Sequence, residues 1–483
     1  MRFRTVLLYA SFLLGVNPVQ AADHVWIVGG GPNLGSSQAQ IELNVNWVIQ
    51  VLNSSPGTRQ LHIYYTDGNA PGKDVVLWQP PKESRNTLQP LARVLGNTND
   101  NGESYHSHQI PHVIGGTEVS TLKPSLEKEF SALKPGDRSL LIYNGHGLPD
   151  SRDVAGNTLR LWNNTRLSVR ELDQIMNRID PGVPVRFIFT QCFSGGFERL
   201  VHPRARDTLE LGEANRCGFF AESEDREAEG CSASIKIGDY RDYSTFFFAA
   251  LQGRMRTGEL IEVNPDRDGD GVVSLHEAHL FALAQGQNAD LPRSTSEVFL
   301  ERWQPWYLRW VDTGAVPDNV YGKIAREVAR RNGLPESGQT LVHEMRGRRQ
   351  ALATAMDNVL NEQAGLDKEI GALRSAIRKD VAAHWPEALS PYTLNFANFL
   401  RKDLAAAQDF IVAHPRYAEL VTKQNRHAAL DEEVLHVDRD ITQLDKILRL
   451  RTLARLQSQF ERHATARERE WYGRLMSCEG QGL

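Results

Sequence analysis

The chain is poor in cysteine, in basic clusters and in long apolar runs. It has four cysteines among 483 residues, 55 basic against 60 acidic side chains, and a formal net charge of −5. Without a basic patch, nucleic acid is not an expected partner. After residue 21 no apolar stretch reaches the roughly 20 residues that a membrane-spanning helix needs, so no stable membrane anchor is expected.

The first 21 residues differ from the rest of the chain. Arg2 and Arg4 precede an apolar stretch over residues 6–16, and the small residues Val19 and Ala21 stand at positions −3 and −1 of a cleavage site. This pattern is typical of a secretory signal peptide, with an uncleaved anchor as the alternative. We therefore predict a signal peptide over 1–21, a secreted or periplasmic protein, and oxidising surroundings for its cysteines.

The cysteines allow two interpretations. Cys217 and Cys231 flank the polar stretch AESEDREAEG, which predicts a disulfide that closes this loop and contributes about 3 kcal/mol. Cys192 and Cys478 then remain. They either pair with each other, or Cys192 is a reactive thiol and Cys478 is unpaired or bonded to another chain.

Short apolar runs alternate with helical patterns through the first part of the chain. Predicted strands cover residues 24–28, 61–66 and 217–221 and the apolar runs that begin the segments 140–147 and 185–196. Predicted helices follow residue 31 and cover 121–133 and 243–251. The capping box S-x-x-E from Ser168 to Glu171 marks the start of another helix. Strands that alternate with helices predict an α/β fold with a mainly parallel sheet.

Beyond residue 312 two apolar stripes keep a 4-3 spacing, with charged residues between them. The first stripe is Leu352, Met356, Val359, Leu366, Ile370, Leu373 and Ile377, and the second is Leu430, Val434, Val437, Ile441, Leu444 and Leu448. They predict two long helices of coiled-coil type, separated by a break at Pro386 and packed as an antiparallel hairpin. The predicted domains are thus 22–312 and 313–483.

Two predicted strands end in small residues that carry one reactive side chain each. LLIYNGHG ends with His146 and Gly147, and VRFIFTQCFSGG contains Cys192. Because the carboxyl ends of parallel strands share one edge of a sheet, His146 and Cys192 are expected to face each other. The histidine would then take the thiol proton, and the backbone N–H groups of Gly147 and Cys192 would stabilise an oxyanion.

These segments resemble the caspase-like cysteine peptidases, closest to the legumain-like family, in which an apolar run ends in His-Gly and the next in x-Cys-x-Ser-Gly. The resemblance implies a caspase-like α/β/α sandwich, Cys192 as nucleophile, His146 as base and Gly147 as an oxyanion donor. It also places Glu222 and Ser223, in the segment CGFFAES, at the primary specificity pocket. Gln191 departs from the legumain pattern, and the motif that holds the histidine-orienting Asn of legumains does not match around Asn33.

The expected function is that of a secreted cysteine endopeptidase with a protein or peptide substrate. Glu222, Glu224 and Asp225 would favour a basic side chain before the scissile bond, unless they form only a solvated loop. Transpeptidation is a close alternative, and a non-catalytic scaffold stabilised by calcium is the rival from another class. The helices of 313–483 would either cover the active site as an inhibitory segment or mediate self-association.

A second motif is independent of the first. Residues 266–277, DRDGDGVVSLHE, match the EF-hand loop D-x-D-x-D-G-x5-E. The predicted ligands are the side chains of Asp266, Asp268, Asp270, Ser274 and Glu277 and the backbone carbonyl of Val272. Since only one such loop is present, we expect a structural Ca²⁺ ion that stiffens the entry to the next helix, and not a calcium sensor.

Overall fold

A computed structural model of the chain describes residues 22–79, 88–96, 102–306, 316–390 and 393–483. The predicted signal peptide and the predicted domain boundary at 312/313 lie outside these residues. The strands are β1 (Asp23–Gly30), β2 (Arg59–Tyr65), β3 (Val75–Trp78), β4 (Glu103–His106), β5 (Val113–Gly115), β6 (Arg138–Leu148), β7 (Thr158–Leu161), β8 (Thr165–Ser168), β9 (Val185–Phe189), β10 (Arg216–Phe220) and β11 (Arg293–Ser294).

The helices occupy the connections and the last third of the chain. They are α1 (Ala39–Ser54), α2 (Gln89–Leu95), α3 (Val119–Ser131), α4 (Val169–Met176), α5 (Tyr243–Gln252), α6 (Leu275–Gln285), α7 (Thr295–Trp303), α8 (Val320–Arg331), α9 (Gly338–His384), α10 (Leu394–Lys402), α11 (Leu404–Ala413), α12 (Tyr417–His463) and α13 (Ala466–Glu479). Along the described residues no helix combines the length and apolarity that a bilayer crossing requires.

The central sheet has the strand order β11-β10-β9-β6-β1-β2-β5. Its neighbouring strands are parallel except for β11, which runs antiparallel to β10, and the β7–β8 hairpin extends the end of β6. The prediction of an α/β fold with a mainly parallel sheet is therefore confirmed. The predicted capping box at Ser168 is also formed, at the start of α4.

Both faces of the sheet are buried. Successive side chains of each strand point to opposite sides, so each strand contributes to the core on both faces. In β1, Val25 and Ile27 join an apolar cluster with α1, α5 and α6, whereas Trp26 and Val28 join a cluster with α3 and α4. This second cluster continues without interruption into α8, the end of α12 and α13. The C-terminal helices thus share a core with the sheet.

Helices α9 and α12 form the predicted antiparallel hairpin. Ion pairs join Arg349 to Asp445, Glu362 to Arg426 and Glu369 to Lys423, at 3.2, 2.7 and 2.7 Å. Residues later in α9 pair with residues earlier in α12, as an antiparallel arrangement requires. At the far end of the hairpin, α2 packs with α9 and α11 around a separate small apolar cluster.

The second apolar stripe is wrong at its last position. Leu448 is 42% exposed, whereas Ile447, Leu450 and Leu453 are buried. The buried face shifts because the second half of α12 packs on α7 and α8 as well as on α9. Lys446 is fully buried there and donates to the Gly286 carbonyl at 2.8 Å, and burial lowers its pKa to about 8.

The predicted Cys217–Cys231 disulfide is wrong, because Cys217 is bonded to Cys478. Cys217 belongs to the apolar cluster that includes α13, so its side chain faces that helix. Cys231 packs against the cluster on the opposite face of the sheet and is a free thiol. Cys192 is the other free thiol, so the alternative pairing of Cys192 with Cys478 is also excluded.

Candidate active site

The ends of β6 and β9 bring His146 and Cys192 to the same edge of the sheet. The last paired residues of these strands are Tyr143 and Phe189, and each side chain comes three residues later. Gly147 lies directly against the Cys192 backbone, since a Cβ atom at Gly147 would be 2.1 Å from the Cys192 carbonyl oxygen. A residue with a side chain would force the two segments apart, which explains the glycine at this position.

The chain turns sharply after Cys192. Phe193 has a left-handed backbone with φ of 59°, and its N–H donates to the Arg226 carbonyl at 2.8 Å. A 3-10 helix over Ser194–Val201 follows at once. A left-handed residue other than glycine costs roughly 1–3 kcal/mol and persists only where tertiary contacts hold it. Such a turn immediately after a buried strand presents Cys192 at the strand's end.

His146 is held in one tautomer by two acceptors. Its Nε2 lies 2.8 Å from both the Ser36 carbonyl oxygen and Gln38 Oε1. Because a carbonyl oxygen only accepts, Nε2 carries the proton and donates, which leaves Nδ1 of the neutral ring as a proton acceptor. Burial lowers the pKa of His146, so the imidazole is neutral at pH 7 and is suited to act as a base.

The Cys192 thiol is hydrogen-bonded to the backbone of Ala228 and not to this base. Sγ accepts from the Ala228 N–H at 3.3 Å and donates to the Ala228 carbonyl at 3.7 Å, and it makes no hydrogen bond to His146 among the described atoms. Burial raises the pKa of Cys192 to about 11, and the charges of Glu227 and Asp290 act in the same direction. The thiol is therefore protonated at neutral pH in this conformation.

The segment over Cys192, here called the covering loop (residues 226–230), is attached to α12. Arg439 of α12 pairs with Glu229, with Nε 3.1 Å from Oε2. Arg226 donates to Thr442 Oγ1, also on α12, at 3.1 Å. The C-terminal helical region thus contacts the loop whose backbone is hydrogen-bonded to the thiol of the candidate nucleophile.

Glu222 and Ser223, predicted to bind substrate, are both buried and hydrogen-bonded internally. Glu222 accepts from the backbone N–H groups of Ser223 and Leu291, each at 2.9 Å, and burial raises its pKa. Ser223 Oγ donates to Asp225 at 2.7 Å. A substrate side chain would have to replace these bonds, so a role in specificity stays a prediction for both residues.

Arg160 lies beside the candidate base. It is the cross-strand neighbour of His146 in the β6–β7 ladder, so the two side chains project from the same face. Its positive charge also lowers the pKa of His146, in addition to the larger effect of burial. Arg160 therefore disfavours the imidazolium form and favours the neutral ring in the resting protein.

The predicted calcium loop brings three carboxylates together. Oxygen atoms of Asp266, Asp268 and Asp270 lie within 4.8 Å of one another, a spacing that suits a shared cation. The loop turns around Asp266, which accepts from the N–H groups of Gly269 and Gly271 at 2.7 and 3.1 Å. Hard oxygen ligands of this kind fit Ca²⁺.

The remaining predicted ligands lie at the start of α6. Ser274 and Glu277 form a capping box, and Glu277 Oε1 also accepts from the N–H of Arg267 at 2.7 Å. Glu277 thus already links the two ends of the loop. The Val272 side chain is 57% exposed, which agrees with a residue whose carbonyl alone would bind. The complete ligand set and the identity of the ion stay predictions.

The residues that contact the two candidate catalytic side chains are not evident from the sequence. Gln38 follows the end of β1, the strand next to β6, and the rule that placed His146 at this edge also applies there. Ser36 and Ala228 make these contacts through backbone atoms, and such contacts cannot be inferred from the type of residue. The Asn33 side chain donates to Asn164 Oδ1 at 3.2 Å, and its carbonyl accepts from the N–H of Ser36 at 3.1 Å.

Comparison with known proteins gives no family. No family model and no curated protein matches the chain. A crystal structure of the protein GSU0716 from Geobacter sulfurreducens is similar over 56% of this chain and 92% of that one, with 10% identity and a TM-score of 0.32. A likeness of this size carries no inference about fold family or function.

Proposed function

We propose that the protein is a cysteine peptidase of the caspase-like class, closest to the legumain-like family, with Cys192 as nucleophile and His146 as base. The observation that carries this proposal is the contact of Gly147 with Cys192 at the ends of β6 and β9. It places a histidine, a thiol and the Gly147 backbone at one sheet edge. Chemistry in open α/β sheets is concentrated at this edge.

The reaction follows from the protonation states. When the covering loop moves away, His146 Nδ1 takes the Cys192 proton, and the thiolate attacks the substrate carbonyl carbon. The N–H of Gly147 would stabilise the oxyanion of the tetrahedral intermediate. His146 then gives the proton to the leaving amine, and water hydrolyses the thioester. An amine in place of water would give transpeptidation instead.

The covering loop and α12 suggest how the enzyme is kept inactive. The Ala228 backbone is hydrogen-bonded to Cys192 Sγ, and burial keeps the thiol protonated. The contacts of Arg439 and Thr442 with this loop favour the autoinhibitory role of the helical region over assembly alone. Activation would then require the loop to separate from α12 while the shared core stays intact.

The test is cleavage of a mixed peptide library by the full-length protein with Arg439→Ala, which removes a contact between the covering loop and α12, and the products are identified by mass spectrometry. This variant should cleave a defined set of bonds faster than wild type, and a further Cys192→Ser or His146→Ala substitution should abolish cleavage. Cys231→Ser serves as the control for loss of a free thiol. Adding a primary amine distinguishes transpeptidation, because the amine then appears in the product. Cleavage that survives Cys192→Ser would exclude the proposal.

A non-catalytic scaffold is the second candidate, and the covered thiol favours it. A cysteine with a pKa of about 11 and no bond to its candidate base has the properties of a structural thiol. In a scaffold, Cys192 stays covered under all conditions and alkylates more slowly than the free thiol of a small peptide. Rapid alkylation after the loop is released would exclude the scaffold.

Two further proposals concern stability and location. A Ca²⁺ ion bound by Asp266, Asp268 and Asp270 would neutralise their mutual repulsion and order the entry to α6. Secretion or export to the periplasm is supported by the Cys217–Cys478 disulfide, since such bonds persist in oxidising compartments. The substrate would be a protein or peptide whose sequence preference is open.

A further inference from the structure

A surface cavity of about 750 Å³ lies on the α4 side of the sheet, separate from the candidate active site. Its walls are α4, the residues 152–155 after β6, and the residues 199–207 at the end of the 3-10 segments that follow Cys192. The lining is dominated by charge. Five arginines line it against three aspartates: Arg152, Arg170, Arg199, Arg204 and Arg206, with Asp153, Asp173 and Asp207.

The three aspartates already have cationic partners. Asp153 pairs with Arg170, and Asp207 pairs with Arg199 at 3.1 Å. Asp173 pairs at 2.9 Å with Arg216, which is buried and does not line the cavity. The carboxylates of the cavity are therefore not available to balance its remaining positive charge.

Three arginines are left in excess. The side chains of Arg204 and Arg206 make no hydrogen bond or ion pair with any residue that the structure describes, and both are exposed. Arg152 is 89% exposed and has only a 3.5 Å contact to Asp150, which is weak in solvent. A concave surface with this imbalance attracts a multiply charged anion.

The backbone holds Arg204 and Arg206 in place. Arg204 and Ala205 both have left-handed backbones, with φ of 56° and 51°, although neither is glycine. Ala205 is 3% exposed, and its N–H donates to the His202 carbonyl at 3.2 Å. His202 is fixed in turn by the Glu210 carbonyl at 2.8 Å. The backbone that carries both arginines is therefore fixed at Ala205, and a ligand would not have to order it.

We propose that this cavity binds a phosphate-bearing small molecule. Phosphate carries close to two negative charges at pH 7, and pyrophosphate more, which matches the excess of three guanidinium groups. Planar guanidinium groups bind phosphate oxygens in pairs. The volume is that of a site for an organic ligand, and Gln174 and Asn177 add amide groups for its hydroxyls. The described lining has no aromatic residue on which a nucleobase would stack.

The test is isothermal titration calorimetry of the full-length protein with inorganic phosphate and pyrophosphate, at constant ionic strength. Saturable binding is expected for at least one probe, with pyrophosphate the tighter. The double variant Arg204→Gln/Arg206→Gln should raise the Kd at least tenfold, since each lost charge-assisted bond is worth about that factor. The matched control Arg166→Gln/Arg346→Gln removes two exposed arginines outside the cavity and should leave the Kd unchanged.

Three results would overturn the proposal. They are no saturable binding of either probe, an equal loss of affinity in the cavity and control variants, or tighter binding of citrate than of pyrophosphate. A separate Arg152→Gln variant repeats the test without touching the left-handed turn. Because the readout is binding alone, the result does not depend on peptidase activity.

Discussion

Arg439 of α12 is ion-paired with Glu229, the residue directly after Ala228, whose backbone N–H and carbonyl both contact the Cys192 thiol. One helix of the C-terminal region is thereby connected to the candidate nucleophile through two consecutive residues. The pair is partly shielded, with side-chain exposures of 28% and 13%. Substituting Arg439 removes this attachment of the covering loop and leaves the apolar core unchanged.

Breaking this pair should expose the thiol. We expect Arg439→Ala to increase the alkylation rate of Cys192 at pH 7 about fivefold, because a partly buried ion pair contributes on the order of 1 kcal/mol. A less buried thiol also has a lower pKa, so the rate should begin to rise at lower pH than in wild type. Alkylation is followed by mass spectrometry. As a control, Arg426→Ala removes a more exposed ion pair within the hairpin, to Glu362, and should leave the alkylation rate unchanged.

Removing Arg160 should raise the pKa of His146. The positive charge of Arg160 disfavours protonation of the neighbouring imidazole, so Arg160→Gln should move the titration of His146 to higher pH. The measurement is an NMR titration of the His146 ring in both proteins. Arg166→Gln, one strand further away, should have a smaller effect. A titration that does not move, or that moves to lower pH, would contradict the contact between these two side chains.

The Cys217–Cys478 disulfide should dominate stability. It closes a loop of 261 residues, and loop-closure entropy predicts a loss of up to about 5 kcal/mol in the free energy of unfolding when it is removed. Cys478→Ser should therefore lower the Tm strongly. A peptide map without reductant should contain the linked Cys217 and Cys478 peptides, and a Cys217–Cys231 link would refute the pairing. Cys231→Ser keeps the disulfide and is the control.

Calcium should raise the Tm of the wild-type protein. Binding to the folded state alone stabilises it by mass action, and neutralising part of the loop should remove the effect. We expect Asp268→Asn to melt at the same temperature with calcium and with chelator. Asp239→Asn, an exposed aspartate outside the loop, should respond as wild type does. An equal Tm of the wild-type protein in calcium and in chelator would exclude a structural ion.

Much of the architecture follows from local pattern. Apolar runs that end in glycine predicted β1, β6 and β9, and Ser168 with Glu171 marked the start of α4, because burial and capping are decided by nearby residues. The stripe of α12 failed at Leu448 for the opposite reason. There the helix packs on α7 and α8 in addition to its hairpin partner α9, and spacing along one helix does not reveal a second neighbour.

In the candidate site, too, some features could be predicted from the sequence and others could not. His146 and Cys192 were predicted to share an edge because parallel strands align their ends. The disulfide was predicted between cysteines close in sequence, whereas Cys217 and Cys231 lie on opposite faces of the sheet. The contact of Ala228 with the Cys192 thiol depends on the path of the covering loop. Such placements depend on tertiary contacts, and the contacts of backbone atoms are invisible in a list of side chains.

The disulfide of Cys217 to α13 also sets an order of events. Beyond Cys478, the Gln481 carbonyl accepts from the Leu275 N–H at 3.0 Å, and the Gly482 carbonyl accepts from Arg186 of β9 at 2.8 Å. The strand that leads to Cys192 is thus secured by residues made almost 300 positions later. We expect the nascent chain to lack a stable fold at this strand until residue 482 has been synthesised. A protein assembled in this order would complete the edge that carries His146 and Cys192 only after that point.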